Sequence, residues 1–236
     1  MLLSTQLNVC SSAASVSLSD ASSASAVNSA VDDDATDKRL RKGEVVVDLV
    51  EDDHTKFVVG KILINQPPAV VWPILVNPFE FSGKICPRMK RLDVLVDQVE
   101  TSVLRCTMTI CFPFPTVSYT VESKYSNENV VEFKRLDGFL KDFRGCWVLR
   151  SRDNGNATEV CYSMFVDPGI PIPKWMVREG VKSELPKTLL GLRNRVDEIV
   201  NKGGVPEAHS IMASSVARAK LEEASRLPSA TRKGSI

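Results

Sequence analysis

The side chains with chemical capacity in this sequence fall at every second position of strand-like runs. Tyr119, Val121, Ser123 and Tyr125 alternate with Thr120, Glu122 and Lys124, so one face of that run is dry and the other wet. The same test turns Leu104, Cys106, Met108 and Ile110 inward against Arg105, Thr107 and Thr109. It turns Val131 and Phe133 inward and carries Arg135 with them if the period holds. Trp147 and Leu149 oppose Cys146 and Val148, and Val160, Tyr162 and Met164 oppose Cys161 and Ser163. The inward polar groups are then Arg135, Tyr119, Tyr125, Tyr162 and Cys106. An arginine among them could hold an enolate or carboxylate while a tyrosine gives up a proton, which makes Arg135 and Tyr162 the catalytic candidates. The ordinary reading gives both a structural role, with Tyr162 bonding across an interior space and Arg135 pairing with Asp137 or Glu159.

Other chemistries find little to work with. The two histidines, His54 in a polar turn and His209 near the C-terminal end, make no convincing general base, and no Ser-His-Asp or Cys-His set can be assembled. The six cysteines, Cys10, Cys86, Cys106, Cys111, Cys146 and Cys161, contain no C-x-x-C pair. They read as reduced thiols packed as small hydrophobes, not as a zinc site. Gly203-Gly204 follows a helical pattern instead of opening one, so it is no phosphate loop. Neither a metal nor a cofactor is expected. A net charge of +1 leaves no basis for a nucleic-acid footprint, and no apolar run approaches the roughly 20 residues of a membrane-spanning helix.

The elements that must position these side chains are legible from period and punctuation. Glu44 to Val50 and Phe57 to Asn65 read as strands around the acidic turn Glu51-Asp52-Asp53. Asn65 can cap, and Pro67-Pro68 can open, a helix from Ala69 to about Val76 that carries Trp72. A helical turn near Phe79 to Gly83 follows. From Met89 the chain becomes β-rich, with runs over 89–99, 102–112, 116–125, 130–136, 143–150 and 158–166 joined by short connectors. Short connectors imply an antiparallel meander. From Pro173 to Val200, Val177, Val181, Leu185, Leu189, Leu192, Val196 and Ile199 recur at helical spacing, with Pro186 inside the pattern. The expected architecture is α+β: a curved antiparallel sheet of about seven strands wrapped around one long C-terminal helix. Such a sheet cannot be filled by one helix, and half-barrels of this shape hold small molecules. The expected cavity lining is Trp72, Cys106, Met108, Phe112, Phe114, Tyr119, Val121, Phe133, Arg135, Trp147, Tyr162, Met164, Trp175, Val181 and Leu185. Trp175 stands at the helix entrance as a gate, and Phe112 and Phe114 belong to a stiff loop at the mouth.

The ends differ from the middle. Residues 1–40 are expected to be a disordered tail, 41–203 the ligand-binding domain and 204–236 a second tail with a short helix over 207–227. The start has neither a secretory nor a transit pattern, which makes the cytoplasm the expected compartment. The basic run Lys38-Arg39-Leu40-Arg41-Lys42 could touch phospholipid heads transiently, although neighbouring aspartates nearly cancel its charge.

The order of these features resembles the SRPBCC or START-like superfamily, the helix-grip fold, and within it the branch of polyketide cyclase/dehydrase and coenzyme Q-binding proteins. The resemblance rests on Pro67-Pro68-x-x-Val71-Trp72 after a strand and Cys86-Pro87 before the next. Gly145-x-Trp147-x-Leu149, Thr158 with Tyr162, Pro168, Pro173 and Leu185-Pro186 leading to Leu189, Leu192 and Arg193 complete it. It spans about residues 44–201 and brings no catalytic motif with it. It implies an internal hydrophobic cavity for a lipid, isoprenoid quinone or polyketide, hence a binding or transport protein. The alternative is a cyclase or dehydratase using the same cavity. A protein-binding module like the ribosome-associating relatives is the weaker alternative.

Overall fold

Runs of β-branched residues broken by turn-forming ones dictate a meander, and the chain builds one. The computed structural model describes residues 33–203 apart from 53–54, 99 and 110–115. Its strands are β1 (Val46–Asp52), β2 (Thr55–Ile64), β3 (Met89–Asp97), β4 (Thr101–Thr109), β5 (Thr116–Ser126), β6 (Val130–Gly138), β7 (Asp142–Arg152) and β8 (Ala157–Asp167). They form one sheet in the order β1-β2-β8-β7-β6-β5-β4-β3, with every neighbouring pair antiparallel. The sheet of eight strands agrees with the expected curved sheet of about seven, and β1 pairs with β2 along its whole length, from Val46↔Lys61 to Asp52↔Thr55. The β5–β6 turn places Asn127 and Glu128 at φ of 51° and 52°, left-handed backbone that reverses the chain between the paired Ser126 and Val130.

Among the described residues four α-helices accompany the sheet: α1 (residues 33–41), α2 (Pro68–Leu75), α3 (Pro78–Phe81) and α4 (Lys174–Asn201). The first corrects an expectation, since residues 33–40 were assigned to a disordered tail. Asp33 and Asp34 favour its N-terminus, and Asp34–Lys38 and Asp37–Arg41 pair one turn apart. Leu40 is buried with Val46, Leu63 and Ala157, while Asp37 also accepts from Arg152 at 3.0 Å. One apolar anchor makes no periodic stripe, so the helix left little trace in the sequence. Helix α2 begins after Pro67 without a side-chain cap, so Asn65 does not have the capping role expected of it. At α3, Asn77 does cap, accepting the Phe79 N–H at 3.0 Å. The expected helix over 207–227 lies outside the described residues, as do His54 and His209.

Helix α4 runs unbroken through Pro186 and buries Leu185, Leu189, Leu192 and Val196 against β2, β8 and α2. This seam is one hydrophobic core. A second, formed by Met89, Cys106, Val117, Tyr119, Val121 and Leu140, lies at the β3–β5 end of the sheet. On the opposite sheet face Phe57, Val59, Cys146 and Cys161 make a small cluster, with the Arg144 guanidinium over the Phe57 and Phe165 rings at 5.9 and 5.3 Å. No described helix is long and apolar enough to cross a membrane.

Candidate functional site

The two cores are joined through the partly buried Phe81 and Phe143. Between the cores, roofed by the N-terminal half of α4 and floored by β4–β8, lies a cavity of about 580 Å³. Strand alternation sends every second side chain into it, as pleat geometry requires. Leu104, Cys106 and Met108 come from β4, Tyr119, Val121, Ser123 and Tyr125 from β5, and Val131 and Phe133 from β6. Phe143 and Trp147 come from β7, and Tyr162 and Met164 from β8. The register explains their company: Trp147 lies opposite Tyr162, and their rings stack at 3.7 Å and 7°. Phe143 bridges the two cores by packing edge-on to Tyr119 and at a tilt on Phe133.

Helix α4 supplies Met176, Val177, Gly180, Val181 and Leu185 to the roof. Ile170 and Ile172 from the proline-rich hinge, Phe139 from the β6–β7 loop, and Phe81 with Cys86 from the α3–β3 segment complete the wall. Three lining residues carry charge, and they stand together. Arg88 Nε reaches Glu184 Oε2 at 2.6 Å, and Lys187 Nζ reaches Glu184 Oε1 at 2.8 Å.

Of the residues expected to line a cavity, Cys106, Met108, Tyr119, Val121, Phe133, Trp147, Tyr162, Met164, Val181 and Leu185 do so. Three do not. Trp72 is buried in the main core on α2, edge-on to Tyr125 at 6.4 Å between centroids, because that helix turns its apolar face to α4 and the sheet. Trp175 is 60% exposed and points away, while its neighbour Met176 lines the cavity. Arg135 is paired with Val121, but the register slips one residue further along β6, and its guanidinium donates to the Gly138 carbonyl at 2.9 Å. It pairs with neither Asp137 nor Glu159, and Glu159 is held by Arg150 and Arg152. Phe112 and Phe114 lie outside the described residues.

Burial decides the protonation of the polar lining. It pushes the Tyr119 and Tyr162 hydroxyls well above the usual phenol range and the Cys106 thiol up to about 12. Cys86 is raised by burial as well, against hydrogen bonds from Met89, Thr188 and Arg88. Tyr125 is raised by burial in spite of its 2.6 Å hydrogen bond with Ser102. At neutral pH the wall therefore offers neutral hydroxyls and thiols, none of them a base. The Tyr119 hydroxyl donates to the Met108 thioether, at 3.3 Å. Among the described residues Cys86, Cys106, Cys146 and Cys161 form no disulfide. Among the described residues, no group of three or more His, Cys, Asp or Glu side chains is placed to hold a metal.

The strand alternation does not point to the charged trio, because Arg88 lies in a loop and Glu184 and Lys187 lie on the long helix. The signal for Glu184 is its place three residues after Val181 and one before Leu185, within the apolar stripe.

No protein-family model matches this sequence. No curated protein matches it either. Solved structures do match its fold. An aromatase/cyclase from Streptomyces aligns at a TM-score of 0.56 and 16% identity, over 63% of this chain and 98% of that one. A START superfamily protein from Mycobacterium smegmatis aligns at 0.54 and 15%, over 61% and 98%. A STAR-related lipid transfer protein from Xanthomonas axonopodis aligns at 0.54 and 17%, over 65% and 92%. The chain has the START-like helix-grip fold, with a sheet of eight antiparallel strands and a long C-terminal helix packed on it.

Proposed function

We propose that this protein binds a hydrophobic small molecule, of the lipid, isoprenoid quinone or polyketide kind, inside the cavity under α4. The observation that carries this reading is the cavity itself: about 580 Å³, walled chiefly by aliphatic and aromatic side chains and framed by two cores. That volume falls within the roughly 300–1,000 Å³ typical of small-molecule sites. Each Å² of ligand carbon withdrawn from water there contributes about 25 cal/mol. The neighbours of this fold, one a lipid transfer protein and one an aromatase/cyclase, are consistent with an apolar ligand. Binding is favoured over turnover because Arg135 is directed to a backbone carbonyl and the tyrosines and thiols of the wall are held neutral.

Native mass spectrometry of the full chain, followed by organic extraction, tests the reading. A stoichiometric apolar adduct is expected, and Val121→Trp, which fills the space, is expected to abolish it with the far-ultraviolet spectrum unchanged. A protein that carries no adduct and takes up neither long-chain lipids nor quinones would sink the proposal.

A further inference from the structure

The charged trio gives this cavity a preference that its apolar wall alone does not. Arg88 precedes β3, while Glu184 and Lys187 lie on α4, so the cluster spans the seam between loop and helix. Both oxygens of the Glu184 carboxylate are engaged, one by each cation. Two positive groups thus share one negative group, and no other charged side chain lines the cavity among the described residues. Arg88 engages Glu184 through Nε, and its planar guanidinium carries two further nitrogens with donor hydrogens. The side chains of Arg88 and Glu184 are 33% and 31% exposed and that of Lys187 is 56% exposed, so water reaches the cluster and an ionised group can lie there at low desolvation cost. Inward of it the wall becomes Leu185, Val181, Cys106 and the buried aromatics.

From this juxtaposition we infer that the ligand is an amphiphile with an anionic head, a long-chain carboxylate, whose head pairs with Arg88 and Lys187 and whose tail fills the apolar cavity. The inference rests on the binding reading above and narrows its ligand class. One residual positive charge matches one carboxylate. An alcohol or ester of the same chain length would bury the same carbon but leave the net positive charge of the trio uncompensated. Glu184 acts as the resident competitor that the head must share its cations with.

Isothermal titration of the full chain with dodecanoate and with dodecanol, at pH 8 and below their aggregation concentrations, tests this. Dodecanoate is expected to bind roughly tenfold tighter than dodecanol, as a charge-assisted contact would give. Lys187→Gln and Arg88→Gln should each reduce that ratio. Glu184→Gln, close to isosteric, should strengthen dodecanoate binding by several-fold and leave dodecanol unchanged, which a merely structural ion pair would not do. Equal affinity for the two compounds in the natural protein, or a Glu184→Gln variant that loses both alike, overturns the assignment while leaving an apolar binding site standing. Failure of both compounds to bind removes this inference together with the reading beneath it.

Discussion

Helix α4 is seated on β2 through the absence of a side chain, and Gly60→Ala is the perturbation that reads this out. A Cβ at Gly60 would fall on Leu185 Cδ2 and lie 2.8 Å from Leu189 Cδ1, and both leucines are buried in the main core. The backbone at this position does not require glycine, so an alanine is strained by crowding and not by φ. Overpacking of this kind costs about 1–3 kcal/mol. The loss of glycine's freedom in the unfolded chain offsets about 0.4–1 kcal/mol of that. A net loss of about 1–2 kcal/mol remains, a fall in Tm of roughly 2–8 °C for a domain of this size. Thermal unfolding followed by circular dichroism measures it. The sharper readout is a double-mutant cycle. Leu185→Ala alone should cost roughly 2–5 kcal/mol by opening space, whereas in the Gly60→Ala background the new methyl group occupies part of that space. The two effects should therefore be non-additive by about 1 kcal/mol or more. Strict additivity, or an unchanged Tm for Gly60→Ala, would refute the picture of a helix held at van der Waals contact on that glycine.

Three further outcomes follow from groups away from that seam. Burial alone would raise the Glu80 carboxyl, but hydrogen bonds from Arg195, at 2.5 and 3.2 Å, and from Lys84 outweigh it and hold the group below its ordinary 4.5. The stability this contributes is present above pH 4.5 and lost as pH falls through the lower folded value. Glu80→Gln should therefore flatten the fall in urea midpoint between about pH 6 and about pH 3.5, and an identical slope in both proteins would contradict the linkage. Arg195→Ala, which leaves that carboxylate without its main partner, should cost about 2 kcal/mol at neutral pH. With the Cys106 thiol raised to about 12 by burial, only about one molecule in ten thousand carries the thiolate at pH 8. Peptide-resolved alkylation with iodoacetamide should label Cys106 in urea and spare it in the folded chain; rapid native labelling would show a thiol that is neither buried nor neutral.

Much of the architecture was legible because period-2 alternation and short turns are local signals. The inward faces of β4, β5, β7 and β8 follow directly from which residues alternate, and the stripe Leu185, Leu189, Leu192, Val196 gives the buried face of α4. Arg135 departs from the same rule because β6 slips register against β5 between Val121↔Arg135 and Thr120↔Asp137, a pairing property that no single strand encodes. Trp72 and Trp175 show a second limit: a large aromatic near a cavity-forming element is equally at home in the core or in solvent, and helix orientation decides which. The charged trio is a third case. Loop residue Arg88 meets Glu184 across 96 positions of chain, a contact between side chains that tertiary packing alone creates.

The cavity owes its existence to an uneven helix. Toward its C-terminal half α4 carries Leu185, Leu189, Leu192 and Val196, all essentially without exposure, and these fill the space to β2, β8 and α2. Toward its N-terminal half the cavity-lining residues include Val177, Gly180 and Val181, all smaller than the leucines that follow, and the space between them and Tyr119, Val121 and Cys106 stays open. A longer set of side chains there would fill it, and interiors packed at crystal density leave few voids of this size. The missing volume is enclosed on one side by the stacked Trp147 and Tyr162 and on another by the Met89–Leu140 cluster, so an occupant would touch both cores at once. An apolar ligand in this position is in effect the absent middle of the hydrophobic core, and its binding would couple the α4 seam to the β3–β5 end of the sheet. That coupling ties the stability of the domain to its occupancy: bound at about one hundred times its Kd, a ligand specific for the folded state adds about 2.7 kcal/mol.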